Sequence, residues 1–327
     1  MDLSSTYLGF KLKNPIIVAS SSLTGDLQGV KRMADAGAGA VVLKSLFEEQ
    51  IHKEYVQDME QHITGSWHYE ARDYVKKMGM ELGPREYLQL IEDAKKSVDI
   101  PVIASLNCVS SPWWKDYARQ IELAGADALE LNISYFPFDV KKTAREVESL
   151  YYQILEKVHQ TVELPIAVKV GPYFTSFANV AYELCSRGAA ALVLFNRFYQ
   201  FDIDPEKMKM TGGNPLSTAQ EMSLTLRWIG LLTERVNCDL AATTGIHDAA
   251  GVIKQILAGA HAVQICSVLY QKKTSYISEI ADGVSSWMKK KGFESLDQAR
   301  GTLSYQKQEK PELYQRLQYI KALVGIE

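Results

Sequence analysis

Cysteine is scarce in this chain of 327 residues. There are four, Cys108, Cys185, Cys238 and Cys266. They are scattered, with no spacing that marks a metal site or a redox pair. That argues against a zinc module or a disulfide-framed secreted domain, and fits unpaired thiols in a reducing, cytoplasmic setting. An excess of one charge is lacking too. A formal net charge of −3 sets up no field for nucleic acid or an anionic membrane, so neither is expected as a partner. No apolar run approaches the roughly 20 residues of a membrane helix, and Met1-Asp2-Leu3-Ser4 reads as neither a signal peptide nor an anchor. No His/Asp/Glu cluster ends the apolar runs, so no metal is expected.

What the chain does have is a phrase used four times. A helix closes on Gly, a small residue follows, then an apolar run, then a polar residue. The copies are Ala36-Gly37-Ala38 running to Lys44, Ala124-Gly125-Ala126 to Asn132, Arg187-Gly188-Ala189 to Asn196, and Ala258-Gly259-Ala260 to Ser267. Gly after a helix supplies a left-handed cap. Short Val/Leu/Ile runs read as strands buried on both faces of a parallel sheet. Closed on itself, such a sheet is a (β/α)8 TIM barrel, and the polar ends meet at the mouth where that fold carries its chemistry.

Eight units follow in order. Strands are expected at 14–20, 41–44, 101–106, 129–132, 165–170, a run ending at Asn196, 240–244 and 263–266. Helices are expected at 26–37, 84–97, 112–124, 141–161, 177–187, 217–235, 247–258 and 274–290. The polar stretch 46–83 and the segment 197–216 read as long loops over the mouth, the first with one short helix or hairpin as its plainer reading. The whole chain, 1–327, reads as one domain. Its core is about 1–290, and the extension of about 291–327 includes one amphipathic helix, Pro311 to Val324, packed on the barrel or on a partner subunit.

The strand ends suggest the chemistry. Lys44 and Lys169 end apolar strands, where a cation needs an anionic partner, a ligand or solvent. Either could form a Schiff base or hold an electron-rich ring as it gains negative charge. With Asn132 and Asn196 beside them, they suit a planar heterocycle bearing carbonyls and ring nitrogens. Thr243-Thr244-Gly245-Ile246 before a helix, and Ile265-Cys266-Ser267 after the last strand, are placed where this fold binds phosphate; a simple turn and cap is the alternative.

These residues resemble the dihydroorotate dehydrogenase family of FMN-dependent barrels over roughly residues 1–300. The resemblance runs through Leu8-Gly9-Phe10-Lys11-Leu12-Lys13-Asn14-Pro15, Leu43-Lys44-Ser45, Leu131-Asn132-Ile133-Ser134, Val168-Lys169-Val170-Gly171-Pro172-Tyr173-Phe174 and Gln264-Ile265-Cys266-Ser267-Val268-Leu269. The soluble, non-quinone class is the most similar. The resemblance implies an FMN cofactor, with Ala19 and Ser20 beside the flavin ring and Lys44 and Ser45 touching flavin and substrate. Asn107, Asn132 and Asn196 would donate to ring or substrate, and Lys169 would face the pyrimidine end of the ring. Thr244, Gly245, Cys266 and Ser267 would hold the phosphate. Lys44, Lys76, Gly79, Asn132, Asn196 and Arg197 would bind a small-molecule substrate. A homodimer is the family expectation, and an electron-transfer centre could lie on a separate subunit.

The chain departs from that pattern where the family keeps its base. The family loop Asn-x-Ser-Cys-Pro-Asn, with Cys or Ser as base, is here Asn132-Ile133-Ser134-Tyr135-Phe136-Pro137. Tyr135 stands at the base position and Pro137 replaces a substrate-binding Asn. Lys76 in Lys76-Lys77-Met78-Gly79 replaces an Asn, Arg197 a small hydroxyl residue, and Thr244 a preferred Gly. Tyr135 is either the catalytic acid/base, its pKa lowered by Lys44 or Lys76, or a lid residue; Lys44 and Lys169 are the other expected catalytic residues, Lys169 stabilising the reduced ring. Cys108 sits one strand too early for the base, and Trp113-Trp114 reads as rim packing.

The expected function is FMN-dependent oxidation of dihydroorotate to orotate in pyrimidine biosynthesis, with hydride passing to flavin N5. The alternatives are a divergent flavin oxidoreductase for another small carbonyl or enone substrate, a non-catalytic FMN-binding protein, and a flavin-free Schiff-base lyase.

Overall fold

A computed structural model describes residues 1–48, 50, 84–108, 114–198 and 200–308. Lys76, Gly79, Trp113, most of the 46–83 stretch and the 311–324 segment lie outside the described residues. Eight parallel strands form a closed ring: β3 (Ile16–Val18), β4 (Ala40–Val42), β6 (Val102–Cys108), β7 (Ala128–Ile133), β8 (Ile166–Val170), β9 (Ala191–Leu194), β12 (Asp239–Thr243) and β13 (Ala262–Ile265). Neighbours pair in the order β4-β3-β13-β12-β9-β8-β7-β6, and β4 pairing with β6 shuts the ring. The fold is the TIM barrel that the repeated phrase implies. All four glycines of that phrase have positive φ, at 97°, 88°, 106° and 123° for Gly37, Gly125, Gly188 and Gly259, a conformation open to Gly without a Cβ penalty.

Helices wrap the ring: α1 (Leu27–Asp35), α2 (Pro84–Ser97), α3 (Trp114–Leu123), α4 (Ala144–His159), α5 (Phe177–Ser186), α6 (Met222–Leu232), α7 (Ala249–Ala258), α8 (Ser267–Gln271), α9 (Tyr276–Lys291) and α10 (Leu296–Ala299). Asp26 and Asp248 cap α1 and α7 by accepting from Gly29 N and Gly251 N, and Thr143 with Glu146 forms a capping box on α4, each satisfying N–H groups that a helix start leaves unpaired. The hairpin of β1 (Ser5–Tyr7) and β2 (Phe10–Leu12) plugs the end where the strands begin. Its Tyr7, Leu8 and Leu12 pack on the inward Ile17, Ala40, Ala128, Ala167, Ala191 and Ala262. The segment after α9 returns to this same end, where Gly301 N and Leu303 N donate to Ile256 O and Leu257 O of α7. Among the described residues, no helix is long and apolar enough to cross a membrane.

Four expectations need correction. The segment 197–216 is not all loop: β10 (Phe201–Asp204) and β11 (Lys209–Gly212) form an antiparallel hairpin in which Ile203 faces Met210, because Phe-Asp-Ile-Asp alternates with the period of a strand. Lys44 lies two residues beyond β4, and a further short strand, β5 (Leu46–Phe47), pairs with β6 at Leu106 and Asn107. The 217–235 helix starts as a 3-10 turn, Ala219–Glu221, ahead of α6. Cys185 and Cys238 form a disulfide, with Cα atoms 5.7 Å apart; the fold brings the end of α5 against the start of β12 despite a separation of 53 positions.

Candidate functional site

Alternation along each strand decides which side chains enter the barrel. In β7, β8 and β13 the inward pairs are Ala128 and Glu130, Ala167 and Lys169, Ala262 and Gln264. The alanines sit low against the hairpin plug, and the polar residues lie one step nearer the mouth. Glu130 and Gln264 are each 1% exposed and Lys169 is 7% exposed. Lys169 Nζ lies 3.5 Å from Glu130 Oε1 and donates to Gln264 Oε1 at 3.3 Å, while Gln264 Nε2 donates to Glu130 Oε2 at 2.5 Å. A charge this deep requires a partner, and Glu130 is the anionic partner that Lys169 lacked in the bare sequence.

Above this layer a cavity of about 270 Å³ opens. Lys169 and Gln264 line it, and so do Thr244, Gly245, Cys266 and Ser267. Ala19, Ser20, Asn196 and Arg197 also line it. Residues assigned by resemblance to the ring end and to the phosphate end therefore share one continuous space. Gly245 has φ +78°, and a Cβ there would collide with Met222 N and lie 2.9 Å from Thr218 O. The turn is thus built for close backbone approach. Thr244 precedes it with φ +72°, which is costly for a β-branched residue and gives a physical reason for the family's preference for Gly there. Its Oγ1 donates to Phe195 O at 3.1 Å. The Cys266 thiol is pushed above its ordinary pKa, chiefly by burial.

Beside the cavity, Asn196 Nδ2 donates to Asn132 Oδ1 at 2.8 Å and to Ser134 Oγ at 2.9 Å, and Asn107 Nδ2 reaches Ser134 Oγ at 3.5 Å. Three strand ends thus bring their amides together around one hydroxyl. Ser45 takes a different part. It is buried in a hydroxyl chain, 3.0 Å from Ser20 Oγ and 2.8 Å from Ser105 Oγ, and does not line the cavity. Lys44 lays its stem over Gly25.

Two further expected site residues, Arg197 and Tyr135, have partners within the protein. Arg197 Nε donates to Glu221 Oε2 at 2.7 Å, and its other nitrogens donate to Pro215 O and Asn214 O. That grip pins the 214–221 segment to the chain just past β9. Tyr135 does not line the cavity. Its ring lies under Lys142 Nζ at 5.0 Å. Tyr151 Oη donates to Tyr135 O at 3.3 Å. The side chain therefore sits at the rim against α4, the geometry of a packing residue.

Sequence reading missed Glu130, Gln264 and Ser217. Period-two spacing from Ala128 and Ala262 places the first two inside the barrel. Ser217 is 5% exposed and lines the cavity. Its N–H donates to Ser267 Oγ at 3.0 Å, and its Oγ accepts from Gly245 N at 3.3 Å and lies 3.2 Å from His247 Nε2. Nothing in the loop's sequence distinguishes it from its neighbours.

Fold and site together define a parallel-barrel protein whose working groups gather where the strands end. The model of the dihydroorotate dehydrogenase family matches residues 2–288, and the chain belongs to that family of oxidoreductases. It is 27% identical over 297 residues, 88% of this chain and 94% of the other, to the catalytic subunit of dihydroorotate dehydrogenase B (NAD(+)) of Methanocaldococcus jannaschii. Proteins of the same name match at 28% identity in Methanosarcina mazei (91% and 94% covered) and at 29% in Methanocella arvoryzae (90% and 95%).

Proposed function

We propose that the protein is an FMN-dependent oxidoreductase acting on a CH–CH bond, of the dihydroorotate dehydrogenase type. The observation that carries this reading is the single cavity joining Lys169 to the Gly245 and Ser267 turn. The residues suit the cofactor. The Ser217 and Ser267 hydroxyls that line the cavity beside the Gly245 turn suit a phosphate, and a buried cation with amide neighbours suits a flavin ring. FMN, when bound, supplies N5 as the hydride acceptor.

The chain's own groups do the rest. Lys169 holds a positive charge where the ring becomes electron-rich. Asn196, oriented by Asn132 and Ser134, offers donors and an acceptor to a planar substrate. Arg197, through Glu221, holds the 214–221 segment to the chain just past β9.

Tyr135 favours a second reading, in which the substrate is a different small carbonyl or enone compound. A side chain committed to Lys142 at the rim is poorly placed to take a proton from dihydroorotate. Anaerobic mixing of FMN-loaded protein with dihydroorotate separates the two. Bleaching of the flavin supports dihydroorotate as substrate; a flavin that stays oxidised, yet is reduced by another compound in a screen, supports the second reading. Protein that takes up no FMN contradicts both. The relatives named as catalytic subunits support a separate electron-transfer subunit, and the family supports a homodimer; light scattering of the purified chain tests the latter. The same reading places the enzyme in the cytoplasm, in pyrimidine biosynthesis if dihydroorotate is the substrate.

A further inference from the structure

Lys169 is one corner of a three-strand polar triangle. Its Nζ is 3.5 Å from Glu130 Oε1 on β7 and 3.3 Å from Gln264 Oε1 on β13, and the triangle is closed by the 2.5 Å bond from Gln264 Nε2 to Glu130 Oε2. Lys169 and Gln264 line the cavity; Glu130 stands outside its lining and is 1% exposed. Two consequences follow. The ammonium is located by acceptors on two different strands, so it does not wander as a long flexible side chain otherwise would. The charge that faces the cavity belongs to an ion pair, because a carboxylate at close range opposes the cation's field.

We propose that Glu130 and Gln264 are positioning residues for Lys169, Gln264 aiming its ammonium and Glu130 limiting how much of its positive charge reaches a bound flavin. The inference rests on the FMN reading above. Negative charge appearing on the ring is stabilised by a fixed cation and less so when that cation is already shared with a carboxylate. Glu130 also keeps the buried Lys169 from being left uncompensated, so the pair balances stability of the barrel against the strength of the field.

Sulfite titration of FMN-loaded protein tests this without turnover. The sulfite lone pair adds to flavin N5, the N–S bond forms as ring π electrons move to the pyrimidine side, and the negative charge stays on the ring; no other reactant is needed. Glu130→Gln keeps the shape and removes the opposing charge, and should bind sulfite about tenfold more tightly than the parent, a difference of about 1.4 kcal/mol. Gln264→Leu, which leaves the ion pair in place, should bind it several-fold more weakly. In Glu130→Gln/Lys169→Met the gain should vanish. Unchanged or weaker sulfite binding in Glu130→Gln overturns the inference, as does a gain that survives in the double variant. Parent protein that takes up no FMN overturns the cofactor reading and this inference with it, whereas FMN-loaded variants identical to the parent overturn the inference alone.

Discussion

At the scale of single residues, the site depends on charges and backbone angles that only certain side chains tolerate. Lys169 neutralises Glu130 in a nearly buried pair at the floor of the cavity. Removing one partner of a buried pair costs about 3–5 kcal/mol, because the other charge is left uncompensated. Lys169→Met should therefore lower stability in urea by that amount, and Glu130→Gln/Lys169→Met should recover most of it; equal losses in the two variants would contradict a buried pair. Gly245→Ala combines φ +78° with a clash against the start of α6. It should cost more than about 2 kcal/mol, read as a shift of the denaturation midpoint. Lys169 was legible in the sequence as a lysine in need of a partner. Glu130 was hidden inside Leu129-Glu130-Leu131, where an apolar run masks the alternation that turns it inward.

At the scale of elements, loops decide what strands cannot. Helix α2 spans the expected 84–97, since Pro84 opens it and its apolar positions recur at helical spacing. The barrel strands fall on the expected apolar runs, although the second stops at Val42, short of Lys44. Tyr135 was not resolvable in this way. It lies past the end of β7, beyond the reach of any period, and only the proximity of Lys142 and Tyr151 fixes its direction. Tyr135→Phe should leave the rate of flavin reduction by the true substrate within about twofold; a loss of about 10²–10⁴ would make the hydroxyl the proton-transfer group.

The lower end of the barrel carries a pH signature. His261 Nδ1 accepts from Leu240 N at 3.0 Å, a bond that protonation there would break. Burial, the first cause, and Arg300 hold its pKa below the ordinary value, against Asp239 and Asp297. The unfolded chain therefore binds the proton more readily than the folded one. Stability should fall as pH drops through the ordinary His range near 6.5, and His261→Gln should flatten that slope in thermal melts between about pH 7 and 5.

At the scale of the whole molecule, a closed barrel plugged by its N-terminal hairpin presents one working face. The barrel was legible because the same local rule is applied repeatedly. The disulfide was not, since cysteines 53 positions apart carry no sign of proximity until α5 and β12 are placed. By chain entropy, a loop of that length is worth about 4 kcal/mol. Reduction should lower the melting temperature, and thiol titration of the denatured, unreduced protein should count two fewer thiols than the sequence holds. A cytoplasmic location requires this bond to persist against a reducing pool.

The central claim is that one cavity holds both ends of FMN. Titration of the purified protein with FMN and with riboflavin, followed by quenching of flavin fluorescence, tests it most directly. FMN should saturate at one per chain and riboflavin, which lacks the phosphate, should bind about a hundredfold more weakly, the equivalent of two charge-assisted hydrogen bonds at the Gly245 and Ser267 turn. No saturable FMN binding, or equal affinity for the two flavins, would contradict it.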